Sequence, residues 1–251
     1  MMKRIAGLLV VVLAVVVVPA AISQMEPTPR VYTFVSQFQV PRANWAQYSE
    51  DAEKTFVPIA EKMLADGNII NWSTFEQVVH TPDGYTHGAA WSSNSIAGLM
   101  KVLEEVRKAG PRPAQIAATK HEDLLMQSTL YHNGSGTPTY LRVVCSNAKA
   151  DKPEGYTATL KKLLVPTFDE QVKNGVATYY GVDEQYVNTS AQSTRCVVIT
   201  YPNADGMDKW ATAINTTMSK WSAAERAEFF GSTVPDSRRD IIARITHSGH
   251  K

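Results

Sequence analysis

The apolar residues of the chain follow two different periods, one after the other. Over residues 31–40 they are β-branched or aromatic and alternate with polar residues, which predicts a strand. Beyond it, apolar side chains recur every three or four residues, which predicts an amphipathic helix: Trp45, Tyr48, Ala52, Phe56, Ile59 and Met63. Pro58 lies inside this helix and predicts a kink or a restart, because proline removes a backbone hydrogen bond. Gly67 marks the end of the helix, since glycine accepts the left-handed conformation of a C-terminal cap.

Strand-like alternation returns after Gly67. Residues 69–79 and 85–92 predict two strands, joined by the turn Thr81-Pro82-Asp83-Gly84. A second helix is predicted at about residues 94–108 and a final strand at residues 124–132. The predicted order of elements is therefore β-α-β-β-α-β.

The same pattern then occurs a second time. Residues 48–81 and 156–189 align without a gap at an offset of 108, and nine of the 34 positions are identical. About two identities would arise by chance from ordinary residue usage. The identical pairs are Tyr48/Tyr156, Lys54/Lys162, Val57/Val165, Pro58/Pro166, Gly67/Gly175, Glu76/Glu184, Gln77/Gln185, Val79/Val187 and Thr81/Thr189. This self-similarity predicts a tandem duplication of one folding unit.

The duplicated pattern predicts an α+β protein built from two ferredoxin-like βαββαβ repeats. We expect a first repeat at residues 24–132, a linker at residues 133–139 that is rich in turn-forming residues, and a second repeat at residues 140–251. In each repeat the helices would cover one face of the sheet. Two copies can enclose their bare faces, so the predicted architecture is a fused α/β barrel.

These positions also resemble a known family. Each repeat has a helix interrupted by proline, a glycine nine residues later and then an aromatic-rich strand. The residues that define this pattern are Tyr48, Val57-Pro58, Gly67, Trp72 and Glu76 in the first repeat, and Tyr156, Val165-Pro166, Gly175, Tyr180 and Glu184 in the second. The pattern resembles the dimeric α/β-barrel superfamily, including antibiotic-biosynthesis monooxygenase-like and NIPSNAP-like proteins. The resemblance spans nearly the whole chain after residue 23. It implies a fold that hosts monooxygenases, isomerases and haem enzymes, and fold alone assigns no activity.

Residues 1–23 have the composition of a cleavable export signal. Lys3 and Arg4 precede an apolar run over residues 5–18, and Ala21-Ile22-Ser23 fits a cleavage site before Gln24. The alternative is a retained membrane anchor, since the apolar stretch approaches the roughly 18 residues needed to span a bilayer. We expect cleavage, a periplasmic or extracellular protein, and no stable membrane association afterwards.

The net charge of the chain restricts the classes of partner that it can bind. Loss of Lys3 and Arg4 with the signal lowers the formal net charge from +1 to −1. A near-neutral chain offers no electrostatic surface for nucleic acid. We therefore expect a small-molecule ligand, and homo-oligomerisation stays open.

Two cysteines, Cys145 and Cys196, fall on predicted strands of the second repeat. In a ferredoxin-like unit the first and third strands are antiparallel neighbours. Cys145 near the end of one and Cys196 near the start of the other would then come within bonding distance. Export into an oxidising compartment favours a disulfide. The alternative is two buried free thiols that pack as small apolar side chains.

The predicted catalytic pair is Glu76 and His87. A hairpin closed about Pro82-Asp83 would place Val78 opposite His87, with Glu76 as the diagonal neighbour of the imidazole. A carboxylate there would raise the pKa of His87 and orient it as a general base. The alternative is that the pair neutralises buried charge or faces solvent.

Further candidates for substrate binding lie on the predicted strands. Trp72, Trp91 and Tyr180 suit the wall of an aromatic cavity, inside the barrel or at its mouth, although such residues also form ordinary cores. Arg142 is either an anion anchor or solvent-facing. The second repeat replaces the Glu76–His87 pair with Glu184 and Arg195, which predicts a structural or anion-binding ion pair.

The sequence lacks the local spacing of a metal site, with no His-x-x-x-His and no paired-cysteine motif. We expect no metal and no cofactor, although haem stays open because it needs only one axial histidine. The prediction is an exported small-molecule-binding barrel, and the hypothesis of activity is a cofactor-independent monooxygenase- or isomerase-like enzyme acting on an aromatic or apolar substrate. The alternatives are a packed structural or binding module without turnover and a haem-binding barrel.

Overall fold

The computed structural model describes residues 30–151, 155–187 and 194–251. The predicted signal peptide lies outside these ranges, as does Thr189. The strands are β1 (Val31–Gln39), β2 (Asn71–Gln77), β3 (His87–Ser93), β4 (Lys120–Asn133), β5 (Tyr140–Asn147), β6 (Tyr179–Gln185), β7 (Thr194–Tyr201) and β8 (Arg239–His250). The helices are α1 (Trp45–Asp51), α2 (Val57–Ala65), α3 (Ile96–Ala109), α4 (Pro113–Ile116), α5 (Gly155–Leu163), α6 (Val165–Lys173), α7 (Ala204–Ser219) and α8 (Ala223–Gly231).

The eight strands form one closed antiparallel barrel in the order β1-β3-β2-β8-β5-β7-β6-β4. Strands β4, β1, β3 and β2 come from the first half of the chain, and β8, β5, β7 and β6 from the second. The β2–β8 and β4–β6 pairs join the halves edge to edge. Closure leaves no open sheet edge, because every strand is paired on both sides. The predicted α+β class and the barrel are confirmed.

The proline predictions hold in both halves of the chain. The first helix is interrupted by a π-helical turn at Ala52–Phe56 and restarts at α2, whose second residue is Pro58. The corresponding helix in the second half breaks at Leu164 and restarts at α6, with Pro166 in its first turn. Pro166 loses no hydrogen bond, because the first turn of a helix has no partner for its N–H groups. Pro58 instead follows the π turn in a backbone that stays helical.

The predicted register of the β2–β3 hairpin is wrong by two residues. Glu76 pairs with His87 and Trp72 with Trp91, whereas the predicted hairpin had Val78 opposite His87. The strands end at Gln77 and begin again at His87, so a long loop replaces the tight turn expected about Pro82.

Apolar side chains pack between the outer face of the barrel and the helices. In the second half, fourteen buried residues form one continuous core around Leu160, Phe168 and Trp210. In the first half the apolar packing is divided between a cluster around Trp72, Trp91 and Leu99 and a smaller one around Phe38 and Tyr48. This division coincides with the candidate site described below.

The predicted disulfide forms. Cys145 lies directly opposite Cys196 in the β5–β7 register, with their Cα atoms 4.0 Å apart. The two predicted strands therefore have the expected pairing. Over the described residues, no helix combines the length and the apolar content required to cross a membrane.

Candidate functional site

A cavity of about 470 Å³ separates the outer face of the barrel from the helices in the first half of the chain. Its floor is formed by side chains of β1, β2 and β3: Ser36, Phe38, Thr74, Ala89 and Trp91. Its roof is the end of α1 with the π turn, and residues from the end of α3, the following loop and α4 complete the lining. This volume is in the range of small-molecule sites. The cavity is thus outside the barrel, whereas the site predicted from sequence lay inside the barrel or at its mouth.

Small side chains explain why a cavity exists here. Ala52 in the roof and Ala89 in the floor line it. The residues 108 positions later in the chain are Leu160 and Val197, and both are buried in the continuous core of the second half. Thr55 and Thr74 are likewise matched by Leu163 and Val182 in that core. The larger apolar residues fill the space that the smaller ones leave open.

The π turn also shapes the roof. Ala52, Thr55 and Phe56, all within Ala52–Phe56, line the cavity. A π turn widens the helix by one residue and is frequent at functional sites. In the second half, α5 and α6 meet at Leu164 without a π turn.

Aromatic rings form much of the wall. The rings of Phe56 and Trp91 lie 5.6 Å apart, and those of Phe38 and Tyr48 lie 5.9 Å apart. On its other side Trp91 stacks on Phe34 at 4.7 Å. These contacts fix the ring planes and present flat apolar surface to the cavity. Of the predicted aromatic site residues, Trp91 lines this cavity.

A polar group occupies one edge of the floor. Nε2 of His121 is 3.0 Å from Oγ of Ser36 and 2.9 Å from Oδ1 of Asp123. The His121 ring stacks on Phe38 at 4.3 Å, nearly parallel. The three polar side chains share the outer face because Ser36 pairs with Asp123, and Phe38 with His121, in the β1–β4 register. The sequence pattern did not indicate this group, because the predicted strand began at residue 124 and left His121 and Asp123 outside the sheet.

Two buried polar atoms at the cavity have no hydrogen-bond partner among the described residues. They are Oδ2 of Asp51 and Nε of Arg112. The other carboxylate oxygen of Asp51 accepts a hydrogen bond of 2.9 Å from Nε2 of Gln47. An unpaired buried polar atom costs about 1–3 kcal/mol, so such atoms call for an explanation. Neither residue carried a signal in the sequence, since each is a single charged residue at the end of a helix or in a loop.

The predicted catalytic pair does not line this cavity. His87 is 2% exposed, and its ring packs against Tyr48 and Trp45, with centroids 4.7 and 5.4 Å away. Nδ1 of His87 is 2.9 Å from Oγ1 of Thr86, and Nε2 has no partner among the described residues. Burial, assisted by the nearby His80, lowers the pKa of His87 to about 4. The expectation that Glu76 raises this pKa is wrong, because desolvation outweighs a carboxylate that makes no hydrogen bond to the ring.

The other predicted binding residues lie elsewhere. Trp72 is buried behind the cavity and contacts Phe56 at 6.0 Å. Tyr180 belongs to the core of the second half, where its hydroxyl donates a hydrogen bond of 2.7 Å to Oδ1 of Asp169. His132 contacts the same oxygen at 2.7 Å beside an open cleft next to α6.

Three charged candidates are engaged in ion pairs. Arg142 binds Asp240 at 3.0 Å. Arg195 forms the predicted ion pair with Glu184, its direct neighbour in the β6–β7 register. The structure thus brings Trp91 to the cavity and leaves Arg142, Glu184 and Arg195 on strands of the second half.

The cavity does not suit a metal or haem. The described residues include no cluster of three or more metal-ligating side chains. A haem would need an axial donor, and the histidine that lines the cavity, His121, already directs Nε2 at Ser36 and Asp123. Tyr48 also lines it, but burial raises the pKa of its phenol far above the physiological range. Both cysteines form the disulfide. The haem-binding alternative therefore finds no donor set here.

No protein-family model matches the chain, and no curated protein matches it in sequence. Several solved structures share its fold. A monooxygenase-like protein from Fusobacterium nucleatum has a TM-score of 0.66 and 10% identity, covering 88% of this chain and 94% of that one. A monooxygenase-like protein from Lactobacillus acidophilus has a TM-score of 0.63 and 11% identity, covering 89% and 97%. A chlorite dismutase variant from Candidatus Nitrospira defluvii has a TM-score of 0.53 and 11% identity, covering 86% and 91%.

At these identities the likeness concerns the fold alone. It extends over nearly the full length of each chain. The resemblance expected from sequence is thereby confirmed at the level of architecture: the chain has the α/β-barrel fold that these monooxygenase-like and chlorite dismutase proteins share.

Proposed function

We propose that the protein binds a small, largely apolar aromatic molecule in the cavity beneath the π turn. The observation that carries this proposal is the contrast between the halves. The helix–sheet space of the second half is filled by large apolar residues, whereas that of the first half retains a cavity of about 470 Å³ whose lining includes four aromatic rings. An apolar ligand that displaces water from this space buries the aromatic and aliphatic lining, which is favourable.

A binding experiment tests the proposal directly. Ethylbenzene or naphthalene, titrated by calorimetry, should bind with saturable 1:1 stoichiometry and quench the fluorescence of Trp91. Ala52→Leu should abolish this binding by filling the roof. Lys209→Gln, an exposed change on α7, is the control and should bind as the unaltered protein does. Equal binding by Ala52→Leu and the control would contradict the proposed site.

A cofactor-independent reaction on the bound molecule is the second candidate function. The observation that favours it is His121, whose Nε2 lies within hydrogen-bond distance of both Ser36 and Asp123 at the cavity edge. A carboxylate beside an imidazole orients it as a proton acceptor. Oxygen uptake in the presence of a ligand captured by native mass spectrometry would reveal monooxygenase-like turnover. His121→Gln should then abolish turnover while the Kd changes little.

The role of Glu76 and His87 in proton transfer stays a prediction. The two residues face each other across β2 and β3, beneath Trp45 and Tyr48 of α1. The test is the pH dependence of turnover or ligand binding in Glu76→Gln and His87→Ala. Unchanged profiles in both variants would remove the pair from the mechanism.

We further infer a tandem duplication and export. The repeated identities at an offset of 108 and the recurrence of the order β-α-β-β-α-β support two ferredoxin-like repeats.

The disulfide is compatible with an oxidising compartment. N-terminal sequencing of protein recovered from the periplasm or medium of an expressing bacterium should begin at Gln24. Recovery of the intact N-terminus in the membrane fraction would favour the retained anchor.

A further inference from the structure

A row of side chains crosses the interior of the barrel and includes the disulfide. The strand registers place Ser128 of β4 opposite Asp183 of β6, and Asp183 opposite Cys196 of β7. Cys196 is in turn opposite Cys145 of β5, to which it is bonded. Val182, the residue before Asp183, packs in the core outside the barrel, and the side chains of a strand alternate between its two faces. The row therefore lies on the inner face of the sheet.

The carboxyl group of Asp183 lies beside one of the two sulfur atoms. Residues directly opposite each other in an antiparallel pair have Cβ atoms about 4.5–5.5 Å apart, so the side chains of Asp183 and Cys196 are neighbours. Both residues are buried, at 6% and 5% exposure, whereas Cys145 is only partly buried. The two sulfur atoms thus differ, because Cys145 is the more accessible residue and Cys196 is the one next to the acid.

The groups around Asp183 leave it a weak acid. Ser128 donates a hydrogen bond of 2.7 Å to Oδ1 of Asp183. Two phenols share this part of the interior, Tyr131 of β4 and Tyr179 of β6, and burial raises the pKa of Tyr179 well above its usual value. Arg239 of β8 is at the far end of the row, with β5 and β7 between its strand and β6. Burial therefore raises the pKa of Asp183 to about 6, although the bond from Ser128 opposes the rise.

Reduction of a disulfide needs two different sulfur atoms. A thiolate attacks one of them, and the other leaves with the electron pair of the broken bond. A buried sulfur leaves poorly as an anion, because burial disfavours the charged thiolate. An acid next to the leaving sulfur removes this cost by transferring a proton to it.

We propose that the bond between Cys145 and Cys196 is a thiol–disulfide exchange site for a small thiol reductant, with Asp183 as the proton donor. The thiolate of the reductant attacks Sγ of Cys145 and forms a mixed disulfide, while the bond to Cys196 breaks. The electron pair of that bond goes to Sγ of Cys196, which takes the proton of Asp183 and becomes a thiol. This site is independent of the ligand cavity between the barrel and the helices.

A dithiol completes the reaction. Its second thiolate attacks the reductant's own sulfur in the mixed disulfide, which releases Cys145 as a thiolate. The dithiol is oxidised to its disulfide and the protein is reduced by two electrons. The two protons that the dithiol loses to solvent are balanced by those that Cys145 and Asp183 take up.

The pH dependence of reduction by dithiothreitol tests the proposal on the full-length protein. Alkylation of the free thiols and mass spectrometry give the rate, which is divided by the thiolate fraction of dithiothreitol at each pH. In the unaltered protein this normalised rate should fall about tenfold from pH 5 to pH 7, because the protonated fraction of a group with a pKa of about 6 falls by that factor. A normalised rate that is the same at every pH would overturn the proposal.

Asp183→Asn distinguishes proton donation from repulsion between charges. Its normalised rate should be independent of pH and no higher than that of the unaltered protein at pH 7. If the rate is instead as high at every pH as that of the unaltered protein at pH 5, the carboxylate only repels the leaving sulfur and proton donation is wrong. Asp208→Asn, which makes the same change on the exposed face of α7, is the control and should retain the fall.

Ser128→Ala provides an independent variant that keeps the carboxyl group. The bond from Ser128 lowers the pKa of Asp183, so its loss should move the midpoint of the fall to higher pH. An unchanged midpoint would mean that another group causes the pH dependence.

The direction of attack is tested with glutathione, which has a single thiol. Alkylation and peptide mapping after the reaction should locate glutathione on Cys145 and the alkyl group on Cys196. Glutathione on Cys196 alone would reverse the roles of the two sulfur atoms, and Asp183 would then not be beside the leaving one.

Discussion

Inside the barrel, the hydroxyl of Ser128 donates a hydrogen bond of 2.7 Å to Oδ1 of Asp183. Asp183 is only 6% exposed and lies opposite Cys196 in the β6–β7 register. Burial raises the pKa of its carboxyl from 3.8 to about 6, and the bond from Ser128 opposes that rise only in part. The barrel interior thus contains a carboxyl group whose charge is poorly compensated.

We predict that Asp183→Asn stabilises the protein at neutral pH. Between about pH 4 and pH 6 the folded protein holds a proton that the unfolded chain releases, so the free energy of unfolding falls as pH rises. Above pH 6 the full penalty applies, on the order of 3 kcal/mol for a shift of this size. In urea denaturation from pH 4 to pH 8, the free energy of unfolding of Asp183→Asn should rise relative to that of the unaltered protein between pH 4 and pH 6, because only the unaltered protein contains this falling contribution. Asp208→Asn is the control, and parallel curves for all three proteins would contradict the prediction.

His87 should produce a pH dependence of the opposite sign. Its pKa is lowered from 6.5 to about 4 by burial and by His80, so below pH 6.5 the unfolded chain binds a proton that the folded protein does not. The free energy of unfolding therefore rises with pH between about 4 and 6.5 and is fully developed above 6.5. We expect His87→Gln to remove this rise, which amounts to about 3 kcal/mol.

The two effects oppose each other between about pH 4 and pH 6. Single variants should expose one slope each, and a variant that combines Asp183→Asn with His87→Gln should be nearly flat in urea denaturation. His250→Gln, an exposed change at the end of β8, provides the control. A flat profile in Asp183→Asn would mean that His87 does not titrate as described, and a flat profile in His87→Gln would mean the same of Asp183.

Sequence patterns predicted the parts of this fold that depend on local periodicity. Alternation located the strands, and Gly67 and Gly175 end their helices with positive φ angles of 76° and 70°. The expected antiparallel pairing of β5 with β7 predicted the contact between Cys145, near the end of one strand, and Cys196, near the start of the other. Such features depend on neighbouring residues or on one strand pairing, so the sequence contains them directly.

The candidate site was harder to predict from sequence, because a cavity depends on the space that the packed side chains do not fill. The cavity follows from Ala52, Thr55, Thr74 and Ala89 being smaller than the residues 108 positions later. That difference is visible in the sequence once the two segments are aligned, but it gains meaning only when the helix–sheet packing is known. Asp51 and Arg112 meet at the cavity from distant elements, and the two-residue error in the β2–β3 register led to the wrong neighbours for His87.

The contrast between Ala52 and Leu160 yields a prediction about stability. Leu160→Ala removes a side chain that is 1% exposed from the packed core of the second half and should lower the free energy of unfolding by about 2–5 kcal/mol. Ala52→Leu adds volume where space exists, so it should leave stability unchanged or raise it by about 1 kcal/mol. Denaturant melts of the two variants check this. Similar losses in both would show that the first half is packed as tightly as the second.

The last prediction concerns the disulfide. Cys145 and Cys196 are 51 residues apart in the chain, and closing a loop of that length lowers the entropy of the unfolded state by an amount worth about 4 kcal/mol. Because the β5–β7 strands are already paired along eight positions, we expect the doubly substituted Cys145→Ser, Cys196→Ser protein to keep its barrel. Its free energy of unfolding should nevertheless fall by roughly that amount. Dithiothreitol should cause the same loss in the unaltered protein and none in the variant. A reductant effect of equal size in both proteins would show that the stabilisation does not come from this bond.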